Sequence, residues 1–339
     1  MSAPLPDAGQ NWVDARAPEG LKPWLKLGRF DRPIGIWLLL LPGWQGIALA
    51  LSQHGQTPGL HDAWLFLGFA IGACLMRAAG CAFNDIVDRD IDLKVARTAE
   101  RPVASGRITV RQAWRFVIGC SLVSLSILLT LNLTAVLLGV GSLALVAAYP
   151  FMKRITWWPQ AWLGLTFNWG ALMGYAAATG ALSFLVWANG QWKVMTGDWL
   201  TFAVAPGVNG ELTVAAILLY VGGVFWTLGY DTLYALQDIE DDAMVGVKSS
   251  ARRLGKSVKT GVAAFYGLAV LSAAAAGAVA GLGALFYVGL VAYAVHLAWQ
   301  VRTLKPEDGA LALKLFKSNR EAGLILLAAI ALGALSFPI

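Results

Sequence analysis

The chain has 339 residues, 58% of them hydrophobic, and its mean hydropathy of +0.62 exceeds what a soluble core of this size requires, which excludes a soluble globular protein. Only 14% of the residues are charged, and they gather in clusters between uncharged runs close to the roughly 20 residues that span a bilayer. The net charge of +6 lies beside those runs, so it points to orientation in a membrane and anionic lipid, with no nucleic-acid partner.

The alternating strands of an outer-membrane barrel are absent, and the expected class is all-α: a polytopic membrane helical bundle. Residues 1–23 mix Pro, Gly and both charge signs without the apolar core of a signal peptide, and are read as a cytoplasmic tail before one transmembrane domain, 24–339. Trp24 to Arg32 is basic and aromatic, an interfacial stretch leading into a first span from Ile34 to Ser52, where Pro33, Pro42 and Gly43 start and bend the helix. The second span, Ala63 to Phe83, ends in an acidic run, followed by an Arg-rich polar loop, Asp92 to Arg111, with turn signals at Pro102 and Ser105-Gly106. Spans three and four, Trp114 to Leu131 and Ala135 to Tyr149, meet at Asn132-Leu133-Thr134, formally a glycosylation sequon but in too tight a turn for that role. Span five, Ala161 to Leu182, precedes a connector from Trp187 to Glu211 in which Asp198 to Val204 reads as a short interfacial helix. Span six, Leu212 to Leu236, delivers a second acidic run. Spans seven and eight are Gly261 to Gly281 and Leu282 to Val301, and a polar loop, Arg302 to Glu321, leads to the last, Ala322 to Phe337.

Nine spans put alternate loops on one side. Of the 26 Lys and Arg, 23 then fall on the side of the N-terminus and of both acidic runs, Arg77 and Arg115 lie near span ends on that same side, and Lys193 alone falls opposite, which places the basic side in the cytoplasm. The expected location is the cell inner membrane, with the active site facing the cytoplasm. Cys74, Cys81 and Cys120 lie in apolar spans without metal spacing, and His54, His61 and His296 form no cluster.

The acidic runs carry the chemistry. On a helix at 100° per residue Arg77, Asn84, Asp88, Asp92 and Asp85 fall at about 20°, 0°, 40°, 80° and 100°, on one arc, while Asp231, Asp238 and Asp242 fall within about 40° of each other. A lone acidic loop is usually a solvated helix end. Two phased clusters at the same membrane face instead suggest shared divalent metal, and clustered ionisable groups at a membrane rim are functional candidates. Magnesium takes oxygen ligands, keeps waters and is shared with substrate phosphates, so acidic faces with Arg and Lys nearby suit a diphosphate. Neutralising the charge on a departing diphosphate is what breaking its C–O bond needs, and apolar helices would hold its tail away from water.

Asn84-Asp85-x-x-Asp88-x-x-x-Asp92 and Asp231-x-x-Tyr234-Ala235-x-x-Asp238-x-x-x-Asp242 resemble the two signature motifs of the UbiA superfamily of intramembrane aromatic prenyltransferases. Supporting stretches are Arg29-Phe30-Asp31-Arg32-Pro33-Ile34-Gly35, Met76 to Ala82, Arg97-Thr98-x-x-Arg101-Pro102, Tyr149-Pro150-x-x-Lys153-Arg154 with Pro159-Gln160, and Gly246-Val247-Lys248-Ser249. The resemblance implies nine helices around a central cavity capped by cytoplasmic loops. It implies that Asn84, Asp85, Asp88, Asp92, Asp238 and Asp242 hold magnesium and diphosphate, with Arg77 and Lys153 on phosphate oxygens. Arg154 is placed on the carboxylate of the aromatic acid, with phosphate contact and membrane anchoring as its other readings. Tyr234 lines the site, and Asp231 or Asp238 takes the ring proton. Arg97 and Lys248 complete the substrate-binding set, with ordering of the capping loops, beside Arg101, as their alternative role. The implied substrates are a polyprenyl diphosphate and 4-hydroxybenzoate. Other aromatic acceptors (homogentisate, a naphthoate, haem, chlorophyllide) and a cation-coupled transporter are the alternatives; the transporter needs acids near mid-membrane, whereas these sit at span ends. Prenyl chain length and oligomeric state stay open.

Overall fold

In lipid the backbone must satisfy its own hydrogen bonds, and the apolar stretches accordingly fold as helices. The computed structural model describes residues 11–56, 58–93, 98–179, 182–188, 191–197, 212–237, 239 and 248–335. In chain order the helices are α1 (Trp12–Arg16), α2 (Lys22–Leu27), α3 (Ile34–Gln53), α4 (Leu60–Val87), α5 (Arg89–Asp92), α6 (Val110–Leu128), α7 (Leu133–Ile155) and α8 (Pro159–Ala178). They continue as α9 (Val214–Ala235), α10 (Ser250–Leu254), α11 (Val258–Val279), α12 (Ala284–Thr303), α13 (Gly309–Lys317) and α14 (Asn319–Gly333). Each predicted span overlies one long helix. Among the described residues six helices are long and apolar enough to cross a bilayer, namely α3, α4, α7, α9, the run Ser250–Val279 and α12. Charged Arg111 and Arg115 dilute α6, Gln160 and Asn168 dilute α8, and α14 has only 15 residues.

Two departures from the sequence reading have local causes. Between α8 and α9 the chain forms an antiparallel hairpin, β1 (Leu182–Ala188) with β2 (Gln191–Gly197), in register from Leu182 opposite Gly197 to Ala188 opposite Gln191. The expected all-α class holds for the bundle, and the hairpin lies in the connector. Aromatic and β-branched residues on either side of an Asn189-Gly190 dipeptide are a hairpin signal that the connector reading passed over. The helix expected at Asp198 to Val204 lies outside the described residues. The second departure is α13, inside the stretch expected to be a polar loop. Asp308 caps it by accepting from the Leu311 N–H, and Ala312, Leu315 and Phe316 bury one face at helical spacing.

The chain divides into two units, Met1–Trp37 with Ile71–Ser126, and Leu38–Ala70 with Ile127–Ile339. In the first, Leu27, Ala82, Val103, Ile108 and Ala113 form a buried core, with Trp24, Ile86 and Phe116 packed on it. The described part of the expected tail is ordered against this unit. Val13 is fully buried, Trp12 Nε1 donates to the Phe30 carbonyl at 2.8 Å, and Lys26 pairs with Asp14 at 2.6 Å. Burying one such valine is worth about 1.5–3 kcal/mol.

In the second unit α3 and α8 meet backbone to backbone. A Cβ on Gly46 would collide with the Ala171 carbonyl and one on Gly174 with the Gly43 carbonyl, the small-residue contact by which helices associate in lipid. Asn132 is buried, caps α7 by accepting from the Ala135 N–H, and donates to the Ala176 carbonyl at 2.6 Å, which removes it as a glycosylation site. Leu137, Val140 and Leu143 on α7 and Val288, Val291 and Val295 on α12 are exposed, as on a surface that faces lipid. The protein is a multi-pass membrane protein.

Candidate active site at the first acidic motif

Within the first unit α4 delivers the motif and stops inside it. Helix α4 ends at Val87, and Asp88 takes φ −94° and ψ 4°, the sparsely populated bridge region, before α5 begins. The hydrogen bonds Asp88 N to Asn84 O (2.9 Å) and Asp92 N to Asp88 O (2.8 Å) keep the four-residue spacing across the break. The single arc read from the sequence is therefore kinked at Asp88. Carboxylates at this spacing repel along a regular helix.

Asp85 and Asp88 are each 1% exposed and Asp92 is 5% exposed, and buried charge on this scale requires cationic partners. Arg29 Nη2 donates to Asp85 Oδ1 at 2.7 Å. Arg101 Nη1 donates to Asp92 Oδ2 at 2.8 Å and lies 3.4 Å from Asp85 Oδ1. The Thr98 hydroxyl donates to the Asp92 carbonyl at 2.9 Å. Val103 and Ile108 sink into the core while Ile108 N bonds the Pro102 carbonyl, so the loop carrying Arg101 is anchored at both ends. Arg97 lies outside the described residues.

Arg77, half-buried on α4, has a seat that sequence reasoning did not identify. A Cβ on Gly35 would lie 2.7 Å from Arg77 Nε and 2.8 Å from Nη2, so the glycine leaves the space that the guanidinium fills. The sequence motif gives Gly35 no role; the packing supplies one.

The second motif belongs to the second unit, where Asp231 and Tyr234 occupy the last turn of α9. Asp238 and Asp242 lie outside the described residues. Phe316 of α13 stacks 4.8 Å from the Tyr234 ring and 5.9 Å from Tyr230, which stands edge-on to Trp226 at 5.1 Å. Thr232 and Ser250 share a hydroxyl hydrogen bond of 2.6 Å, and Ser250 N donates to Gln160 Oε1 at 3.0 Å. Lys248 Nζ donates to the Ile155 carbonyl, the last of α7, at 3.1 Å, where a cation complements the helix terminus. Lys153 and Arg154 fall in the last turn of α7, and the Arg154 side chain is exposed. Below these, Trp226 Nε1 donates to Asn319 Oδ1 at 2.8 Å, Tyr266 OH to Gln300 Oε1 at 2.7 Å, and Asn168 Nδ2 to Thr227 Oγ1 at 2.8 Å. The sequence reading passed over Phe316, Asn319, Thr232 and Ser250; for Phe316 the helical spacing of α13 was the available signal.

Among the described residues no three His, Cys, Asp or Glu side chains converge as a metal cage. Magnesium does not need one, because it retains waters and shares phosphate oxygens. Asn84, Asp88 and Asp92 offer oxygen donors only, the set that a hard cation prefers, and they fit magnesium.

The UbiA prenyltransferase family model matches residues 39–322. A protein of Arabidopsis thaliana named mitochondrial 4-hydroxybenzoate polyprenyltransferase is 41% identical over 95% of this chain and 71% of its own length. Its Homo sapiens namesake is 43% identical over 94% of this chain and 77% of its own length. Among solved structures, the apo form of a UbiA homolog from Aeropyrum pernix K1 superposes with a TM-score of 0.63 at 26% identity, covering 88% of this chain and 96% of that one. A UbiA homolog from Archaeoglobus fulgidus bound to GPP and Mg2+ superposes at 0.62 with 19% identity, covering 92% and 98%. With the motif spacing, the helical fold and these matches in agreement, the chain belongs to the UbiA prenyltransferase family.

Proposed function

We propose that this chain transfers a polyprenyl group from polyprenyl diphosphate to the ring carbon ortho to the hydroxyl of 4-hydroxybenzoate, releasing diphosphate, as a step of ubiquinone synthesis. The observation that carries the reading is the set of buried carboxylates at the end of an apolar helix with arginines closed over them; the relatives' names support the acceptor. Asn84, Asp88 and Asp92, with Asp238 and Asp242, hold the magnesium, which when bound neutralises charge on the departing diphosphate. Arg77, seated over Gly35, and Lys153 bind phosphate oxygens, and Arg154 meets the carboxylate of the acceptor. The allylic C–O bond breaks with its electron pair leaving on diphosphate. The phenol oxygen donates electron density to the ring, whose ortho carbon bonds to the allylic carbon, and Asp231 or Asp238 takes the displaced ring proton. Tyr234 lines the site, and Lys248, Arg97 and Arg101 order the loops that exclude water, which would otherwise capture the cation as an alcohol.

In the same reading 24–339 is one domain of nine spans in the cell inner membrane, with both motifs on the cytoplasmic side, as the distribution of Lys and Arg supports. The test is product analysis from membranes containing the chain, given 4-hydroxybenzoate and a short polyprenyl diphosphate with magnesium, then with chelator. The expected product is a carboxyl-retaining prenylated phenol formed only with magnesium. Prenylation of homogentisate or a naphthoate instead would move the acceptor, and no diphosphate release with any acceptor would overturn the reading.

A further inference from the structure

We propose that Arg29 is a positioning residue of the first acidic motif, acting through Asp85, and that Asp85 is the counter-charge of this clamp and not a direct metal ligand. The inference rests on the prenyltransferase reading above. Arg29 has φ +58°, the left-handed region that side-chain-bearing residues disfavour, while Gly28 beside it sits at φ −78°. The backbone turn that ends α2, with Arg29 N bonded to the Lys26 carbonyl at 3.1 Å and Phe30 N to the Leu25 carbonyl at 2.9 Å, sets this conformation at a position where glycine is usual, and so fixes the direction in which the Arg29 side chain leaves.

The Arg29 guanidinium bridges two segments. Nη1 donates to the Lys26 carbonyl at 3.0 Å, closing the end of α2, and Nη2 donates to Asp85 Oδ1 at 2.7 Å. Asp85 is 1% exposed, and its Oδ1 also faces Arg101 at 3.4 Å, while Arg101 gives its shorter bond, 2.8 Å, to Asp92. The series Arg29, Asp85, Arg101, Asp92 thus alternates in sign and is neutral as a group. It ties the interfacial helix, the end of α4 and the loop after α5 to one another. Arg101 fixes the direction of the Asp92 carboxylate, and Arg29, by meeting the charge of Asp85, keeps Arg101 from being drawn off Asp92. Planar two-point binding is specific to arginine; a lysine in the same place reaches one acceptor.

The test compares the full-length protein with Arg29→Gln, Arg29→Lys, Asp85→Asn, the double variant Arg29→Gln/Asp85→Asn, and Asp88→Asn. Three quantities are read: magnesium-dependent binding of inorganic diphosphate by calorimetry, KM and kcat for the prenyl diphosphate, and thermal unfolding. Arg29→Gln leaves Asp85 short of charge and draws Arg101 from Asp92, so KM and the diphosphate dissociation constant should rise about tenfold with kcat nearly kept. Removing both charges should restore most of the affinity, to within about threefold of the parent, and Arg29→Lys should fall between. A double variant no better than Arg29→Gln, with Asp85→Asn as damaging as Asp88→Asn, would make Asp85 a ligand and overturn the clamp. Lower unfolding temperature with unchanged KM in every Arg29 variant would also overturn it. Failure of the prenyltransferase reading shows differently, as no diphosphate release by the parent protein with any acceptor.

Discussion

The two units solve the burial of polar groups in opposite ways. The first pairs full charges, Arg29 with Asp85 and Arg101 with Asp92, at the end of an apolar helix and beneath an anchored loop. The second joins neutral groups between long helices: Trp226 to Asn319, Tyr266 to Gln300, and Asn168 through Thr227 to Tyr230. An ion removed from water costs several kcal/mol even after relaxation, whereas an amide or hydroxyl needs only one good partner. Charge is therefore concentrated where the chemistry requires it, and the bundle that supports the second motif is held by groups that cannot titrate near neutrality.

The comparison breaks most severely at Asp88. Asp88→Asn should lower turnover by at least about a thousandfold, with an unchanged elution profile in detergent and helical circular dichroism, because in the proposed function the carboxylate serves the metal. Near-normal activity in that variant would remove the metal role. Next comes Asn319→Ala on the neutral side, which strands the Trp226 Nε1–H and frees Gln300 and Tyr266 from a shared partner. It should cost about 1–2 kcal/mol in detergent unfolding while leaving KM for the diphosphate unchanged.

Gly35→Ala sharpens the distinction between folding and positioning. The added methyl meets only the far end of Arg77, so the helix tolerates it; the guanidinium must shift, and kcat/KM for the prenyl diphosphate should fall about tenfold at nearly constant unfolding temperature. The smallest effect belongs to Asp14. Hydrogen bonds from Lys26 and then Asn11 hold its carboxyl below the ordinary 3.8 in the folded chain. Its contribution is complete above that value and is lost as pH falls through the folded-state value. The pair is largely exposed, so Asp14→Asn should cost no more than a few tenths of a kcal/mol at pH 7 and nothing once the carboxyl is protonated. Unfolding midpoints of the two proteins across acid pH check this.

Much of the molecule was legible before any coordinates. Apolar length and charge clustering marked the helices, because lipid leaves the backbone no other spanning solution, and the acidic spacing marked the motifs, because like charges do not gather at a membrane rim by chance. The interruption at Asp88 was not legible, since a helical projection assumes an unbroken helix. Nor was the α13 contact with Tyr234, which lies 82 residues away in sequence from Phe316 and depends on two helices meeting.

The sequence by itself determined the membrane class, the helix positions and the two acidic runs, which follow from local composition and periodicity, and its motifs carried the resemblance to the family. Only the tertiary structure decided which cation answers which carboxylate, why residue 35 is glycine, and that Arg29 is held in an unfavourable backbone conformation. Those outcomes depend on distances between segments far apart in the chain, and no local pattern encodes them.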